Sequence, residues 1–195
     1  MTEAPVRPAG RPRSVEAEDA IIDATIALLV EEGFDRVSME GVAARAGVGK
    51  ATIYRRWPSK EALVIDAVAR RSDPVPVEAT GSVADQLTTL LEGILTTSRT
   101  GAGRLLPCMI GASVSNPALA THYREQIMAP RRERVATILR RAMANGELRA
   151  DLDVEVAVDQ TVGPLVYRIV LTGAESVDPA YCRTVVESTL RGLAP

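Results

Sequence analysis

Apolar residues recur along this chain at the three-and-four spacing of amphipathic helices, and nowhere at the alternation of a strand. Ile21, Ile22, Ile26, Leu28 and Leu29 form the first such set. They predict a helix that begins near Ser14 as N-cap and stops at Gly33. Ser38 restarts helical structure and Gly47 ends it. A third helix runs roughly from Gly49 to Arg56, and Pro58 bars its continuation. Ser59 caps a fourth, with Glu61 in its first turn and Arg70 and Arg71 in its last, where the helix dipole favours cations.

Residues 72–81, SDPVPVEATG, break the pattern and read as a linker. Beyond it Val83, Leu87, Leu90, Leu91, Ile94 and Leu95 make a clear stripe. Helical material follows at about 104–114. A long helix is expected from Pro117 to Ala144, bent at Pro130 and ended by Asn145-Gly146, with two more near 153–172 and 179–192. The fold class is therefore all-α. A disordered basic arm over residues 1–14 precedes a helix-turn-helix head over 15–71. After the linker, residues 82–195 form a larger helical bundle.

Composition narrows the function. Charged residues make up 25% of the 195 positions and the net charge is −2, so the chain does not coat nucleic acid indiscriminately. Any DNA contact has to come from a local patch. Two cysteines are too few for a disulfide framework, and a polar, Pro-rich beginning is no secretory signal, so a cytoplasmic location is expected. His122 is the only histidine, which excludes a histidine metal cluster and a Ser-His-Asp triad. No phosphate loop or nucleophile elbow is present, and neither an enzyme nor a cofactor-dependent protein is expected.

The patch is found between Gly41 and Lys60, where no Asp or Glu occurs but Arg45, Lys50, Arg55, Arg56 and Lys60 do. Ala43 and Ala46 let two helices approach, and Gly47 supplies the left-handed turn between them. Val42, Val48 and Ile53 then face inward, leaving Lys50, Ala51, Thr52, Tyr54 and Arg55 on a helix presented to the major groove. Ala and Thr suit thymine methyls and base edges, and Lys reaches guanine O6 and N7. The Tyr54 hydroxyl and Lys60 suit phosphates, with Ser38 and Arg56 beside them. Arg11 and Arg13, in GRPR, either enter a narrow minor groove or merely solubilise a tail.

From about Ala20 to Val68 the chain resembles the DNA-binding head of the TetR family of bacterial transcriptional repressors. The resemblance rests on EEGFDRVSM, VAARAGVGKATIYRRW and PSKEAL. The segment VDQTVGPLVYRIVLTG is similar to a helix found in many members. Gly49 departs from the usual Ser, Trp57 from the usual Phe, and Arg56 from a common His or Tyr. The resemblance implies a dimeric repressor on a palindromic double-stranded operator, released by a small-molecule effector held in the C-terminal part.

Candidates for that pocket mix apolar walls with polar groups: Leu91, Leu95, Leu105, Cys108, Met109, Tyr123, Met128, Gln160, Pro164, Tyr167 and Arg168. Arg168, if it points inward, needs either a protein carboxylate or an acidic ligand. Arg131, Arg132, Arg134, Arg140 and Arg141 read as a solvated helix face. In the last helix Cys182, Val185, Val186, Thr189, Leu190 and Leu193 form a stripe that either meets a second copy or packs within the chain. A redox-responsive regulator acting through Cys108 or Cys182 is the alternative reading, although a Cys in an apolar segment is commonly a small hydrophobe.

Overall fold

The computed structural model describes residues 12–71, 81–100 and 105–195, with side chains from Val15 onward at the N-terminal end. Among these residues there are helices and no strands. The head comprises α1 (Pro12–Glu32), a 3-10 turn at Phe34–Arg36, α2 (Met39–Ala46), α3 (Lys50–Tyr54) and α4 (Lys60–Arg71). The rest comprises α5 (Val83–Arg99), α6 (Leu105–Ser115), α7 (Pro117–Tyr123), α8 (Ala129–Ala144), α9 (Val154–Thr172) and α10 (Ala180–Leu193).

Helix α1 starts at Pro12 rather than near Ser14. Proline suits a first helical position, because its missing N–H would be unsatisfied there anyway. The helix thus takes in residues assigned from sequence to the arm. Arg13 lies in its first turn, while Arg11 and most of the linker, residues 72–80, fall outside the described residues. The span expected as one long helix over 117–144 is helical throughout but not uniform in winding. Residues Arg124–Met128 form a π-helical turn, and Pro130 sits in the first turn of α8. The wider turn accommodates a proline whose ring and missing donor would disrupt an ordinary α-helix. Pro164 is carried inside α9.

Two apolar cores result, and they do not divide at the linker. One joins Ile22, Leu29, Val42, Ile53, Leu63 and Val68 of the head to Leu105, Met109, Leu119, Tyr123 and Ile127 of α6, α7 and the π turn. The other is built from α5, α8, α9 and α10, including Leu91, Leu95, Leu139, Leu165, Val185 and Val186. Helix α4 is buried at Leu63, Val64, Ile65, Ala67 and Val68, so it is packed on nearly every side.

Candidate nucleic-acid interface and effector cavity

The turn of the head is built as its residues dictate. The Ser38 hydroxyl accepts the Gly41 N–H at 3.0 Å and caps α2. Gly47 takes φ 66°, and the following Val48 N–H returns to the Ala43 carbonyl at 3.0 Å, closing the helix end. Val42, Ala43 and Ile53 are buried beneath the turn. Trp57 is buried too, its Nε1–H donating to Asp66 Oδ2 at 2.9 Å. Opposite that core, Lys50, Ala51, Tyr54 and Arg55 are exposed and Thr52 is half-buried. Gly49 precedes α3 with an extended backbone and no side-chain cap, the consequence of lacking a serine there.

Folding brings carboxylates from outside the basic window against most of its cations. Arg45 forms a two-pronged pair with Glu31 at 2.5 and 2.7 Å. Lys50 meets Glu40 at 3.2 Å, and Arg56 is held by Glu18 while lying against the Trp57 ring. Lys60 Nζ donates to the Phe34 carbonyl at 3.1 Å and sits 4.2 Å from the Phe34 ring centroid. Arg55 and Lys60 have no ion pair with a described residue; Lys60 is held by carbonyls and a ring instead, and Arg55 by neither. Lys60 and Arg56 are therefore engaged in joining elements of the head in this structure, and both would have to let go of these partners to reach a phosphate. Backbone amide donation and then Lys50 hold the Glu40 carboxyl below its ordinary range, and hydrogen bonding from Arg45 does the same for Glu31.

The second site is a cavity of about 270 Å³ between α4, α5, α6, α7, α8 and α9. Of the candidates for the pocket, Leu105, Met109, Tyr123 and Met128 line it. The remaining candidates lie elsewhere. Leu91 and Leu95 are buried in the α5–α8–α9–α10 core. Cys108 packs against the head, its Sγ 3.7 Å from the Leu29 carbonyl. Gln160, Tyr167 and Arg168 are exposed and Pro164 half-buried, because the inward face of α9 is Ala157, Val158, Thr161, Leu165 and Ile169. Arg168 has no anionic partner among the described residues; its guanidinium lies 4.3 Å from the Tyr181 ring centroid.

The sequence reading missed Val68, Ile94, Val135, Val158, Val162 and, above all, the arginines. Arg131, Arg132 and Arg134 line the cavity rather than a solvated face. The signal was available. Arg131 stands four and seven residues before Val135 and Ile138 on the buried stripe of α8. Arg132 is held by Glu155 at 2.6 Å and by Asp159. Burial pulls the Arg131 guanidinium below its ordinary range and pushes the Tyr123 phenol above its own.

The last-helix stripe also needs correction. Val185, Val186 and Leu193 are buried in the chain's own core, and Thr189 and Leu190 are half-buried, because α10 packs on α5 and α9. The exposed apolar face belongs instead to α9, where Val156, Tyr167 and Leu171 are 51%, 65% and 64% exposed. Cys182 is buried and Cys108 partly so, and burial raises the pKa of both thiols.

Residues 21–67 match the family described as bacterial regulatory proteins, tetR family, and residues 77–189 match the tetracyclin repressor-like C-terminal domain. The chain is similar to the HTH-type transcriptional regulator YdeS of Bacillus subtilis, with 36% identity over 94% of this chain and 93% of that protein. It is 28% identical to the DNA-binding transcriptional repressor TetR of Mycobacteroides abscessus, over 88% of this chain and 90% of the relative. Among solved structures, the TetR family transcription regulator SCO0332 superposes with a TM-score of 0.70 at 36% identity, covering 92% of this chain and all (100%) of its own.

Proposed function

This chain belongs to the TetR family of bacterial transcription regulators, and from that membership we propose that it is a ligand-responsive repressor. Regulators of this family bind DNA operators, dimerise and bind small-molecule effectors, and they are not enzymes. In this reading a cytoplasmic homodimer grips a palindromic operator with two copies of α3, and an effector in the cavity loosens the grip. Lys50, Ala51, Thr52, Tyr54 and Arg55 read or hold the duplex, and Ser38, Arg56 and Lys60 reach its phosphates. Arg11 and Arg13 join them through the minor groove.

One observation carries the reading. Val68 is both part of the apolar core beneath the helix-turn-helix and a wall of the cavity. Helix α4 runs from Lys60, tied to the 3-10 turn of the head, to this wall. A ligand that pushes on Val68 therefore moves the base on which α2 and α3 stand. In a dimer this alters the separation of the two recognition helices, which must match half-sites about 34–36 Å apart or a multiple of that. Operator and effector then favour different states, and each weakens the other's binding by the same factor.

Dimerisation by α9 and the outer side of α10 is supported by the exposed apolar residues Val156, Tyr167 and Leu171, which recur at helical spacing along α9.

Selection of bound duplexes from a random DNA pool tests the function directly, run beside a Lys50→Ala/Tyr54→Ala variant. Enrichment of a palindrome by the wild type alone is the expected result. Equal enrichment by both proteins, or none by either at moderate salt, would remove the assignment of α3 as the reading element.

A further inference from the structure

We propose that the effector is an amphipathic monoanion, a carboxylate on a compact unbranched or lightly branched apolar body, with Arg131 as its counter-ion. The inference rests on the ligand-responsive reading and gives the ligand a chemical class.

Three observations lead to it. First, the walls of the cavity are aliphatic or thioether over most of their extent: Val68, Leu90, Ile94, Met109, Met128 and Val162. Such a surface binds hydrocarbon and rejects a broadly polar ligand, whose desolvated groups would find no partners. Second, Arg131 lines the same cavity and forms no ion pair or hydrogen bond with any described residue. It occupies the buried stripe of α8, one turn before Val135, so its head cannot simply swing to the exterior as a surface arginine does. Third, the nearby carboxylates are already taken. Asp159 and Glu155 both hold Arg132, and the other charged neighbour that acts on Arg131 is a second cation, Arg134.

A half-buried guanidinium in an apolar cavity, beside another cation and without a carboxylate partner among the described residues, is an unfavourable arrangement that a bound anion relieves. Guanidinium offers a planar fork matched to the two oxygens of a carboxylate. The Tyr123 phenol, buried on the same wall and without a hydrogen-bond partner among the described residues, supplies a further O–H donor to the same oxygens. The size agrees with a small acid: about 270 Å³ lies at the lower edge of cavities that enclose organic ligands, typically about 300–1,000 Å³.

The test uses the full chain and a series of equal length: octanoate and decanoate, the corresponding primary alcohols, and the corresponding primary amines. Titration calorimetry gives affinities, and displacement from a selected operator gives the response. The acids are expected to bind about 10- to 100-fold more tightly than the alcohols, with the amines weakest, as for hydrogen bonds made to a charged group. Arg131→Gln should erase the preference for acid over alcohol while leaving alcohol binding unchanged, and Arg131→Lys should restore part of it. Unchanged alcohol binding also shows that the variant's cavity is intact. If Arg131→Gln does not fold, the ranking of acid, alcohol and amine on the wild type decides by itself.

Alcohols binding as tightly as acids, a preference that survives Arg131→Gln, or no binding by either acid would overturn the proposal. The repressor reading fails differently: acids that bind but leave operator occupancy unchanged would refute ligand-responsive repression while leaving the anion site in place.

Discussion

The Asn116 Nδ2–H donates to Glu61 Oε1 at 3.2 Å, joining the N-cap of α7 to the first turn of α4. Asn116 also accepts the Leu119 N–H at 2.9 Å, so a single side chain caps one helix and holds the beginning of another. Burial pushes the Glu61 carboxyl up, but its own backbone N–H, Asn116, Ser59 and Lys60 together outweigh that and leave it below the ordinary 4.5.

A pH prediction follows from this sign. For Glu61, and equally for Glu31, Glu40 and Glu133, the folded carboxyl is more acidic than the ordinary 4.5. The unfolded chain therefore takes up protons first as pH falls. Stability from these groups is fully present above about pH 4.5 and declines as pH drops through the lower folded values. Thermal unfolding at pH 7, 5 and 3.5 should give a nearly constant Tm for the first two and a fall at the third. A Glu61→Ala variant should start lower and fall less.

If Lys50 contacts the operator as proposed, Glu40 competes with the DNA for it. Lys50→Ala is expected to weaken binding to a selected operator by about 1–3 kcal/mol. Glu40→Gln removes the carboxylate that holds Lys50 at 3.2 Å and should tighten binding, more at low salt than at high. Salt titrations of both variants measure this, and an unaltered affinity for Glu40→Gln would mean that the pair is not broken on the DNA.

Trp57 is the chain's single tryptophan and replaces a phenylalanine expected from the family. Its hydrogen bond to Asp66 implies that Trp57→Phe costs about 1–3 kcal/mol, as for a hydrogen bond to a charged group. Urea unfolding followed by circular dichroism would detect the loss. Asp66 keeps Arg70 at 3.0 Å, which limits the damage.

Exposure of Tyr167 and Leu171, against burial of Val186, separates interface from core on neighbouring helices. A Tyr167→Glu/Leu171→Glu double variant should remain helical but sediment as a monomer. Val186→Glu should instead unfold the bundle, since an unpaired charge at a fully buried position has no compensating partner. A double variant that stays dimeric would move the interface away from α9.

The thiols give a test of redox control. Burial raises the pKa of Cys108 and Cys182, so each carries little of the reactive thiolate at neutral pH. Alkylation of native protein should be slow at Cys108 and slower still at Cys182. Operator binding by a Cys108→Ser/Cys182→Ser variant should match the wild type with and without peroxide.

Much of this protein could be read from local pattern. The helix ends at Gly33, Gly47 and Gly146, the caps at Ser38, Ser59 and Asp153, and the exposed face of α3 depend on neighbours a few residues away. Charge pairing does not. That Arg56 meets Glu18 and Arg45 meets Glu31 depends on which distant segments folding brings together, so three of the five apparently free cations gained a carboxylate from outside the basic window. The same holds for faces. The stripes on α9 and α10 announce amphipathic helices but not which side each neighbour covers, and Tyr167 and Val186 exchanged their expected surroundings for that reason. Arg131 marks the boundary between the two kinds of information. Its place on the buried stripe of α8 is written in the sequence, whereas the lack of a carboxylate partner among the described residues, and the cavity that remains there, exist only once α4, α5, α6 and α9 have closed around it.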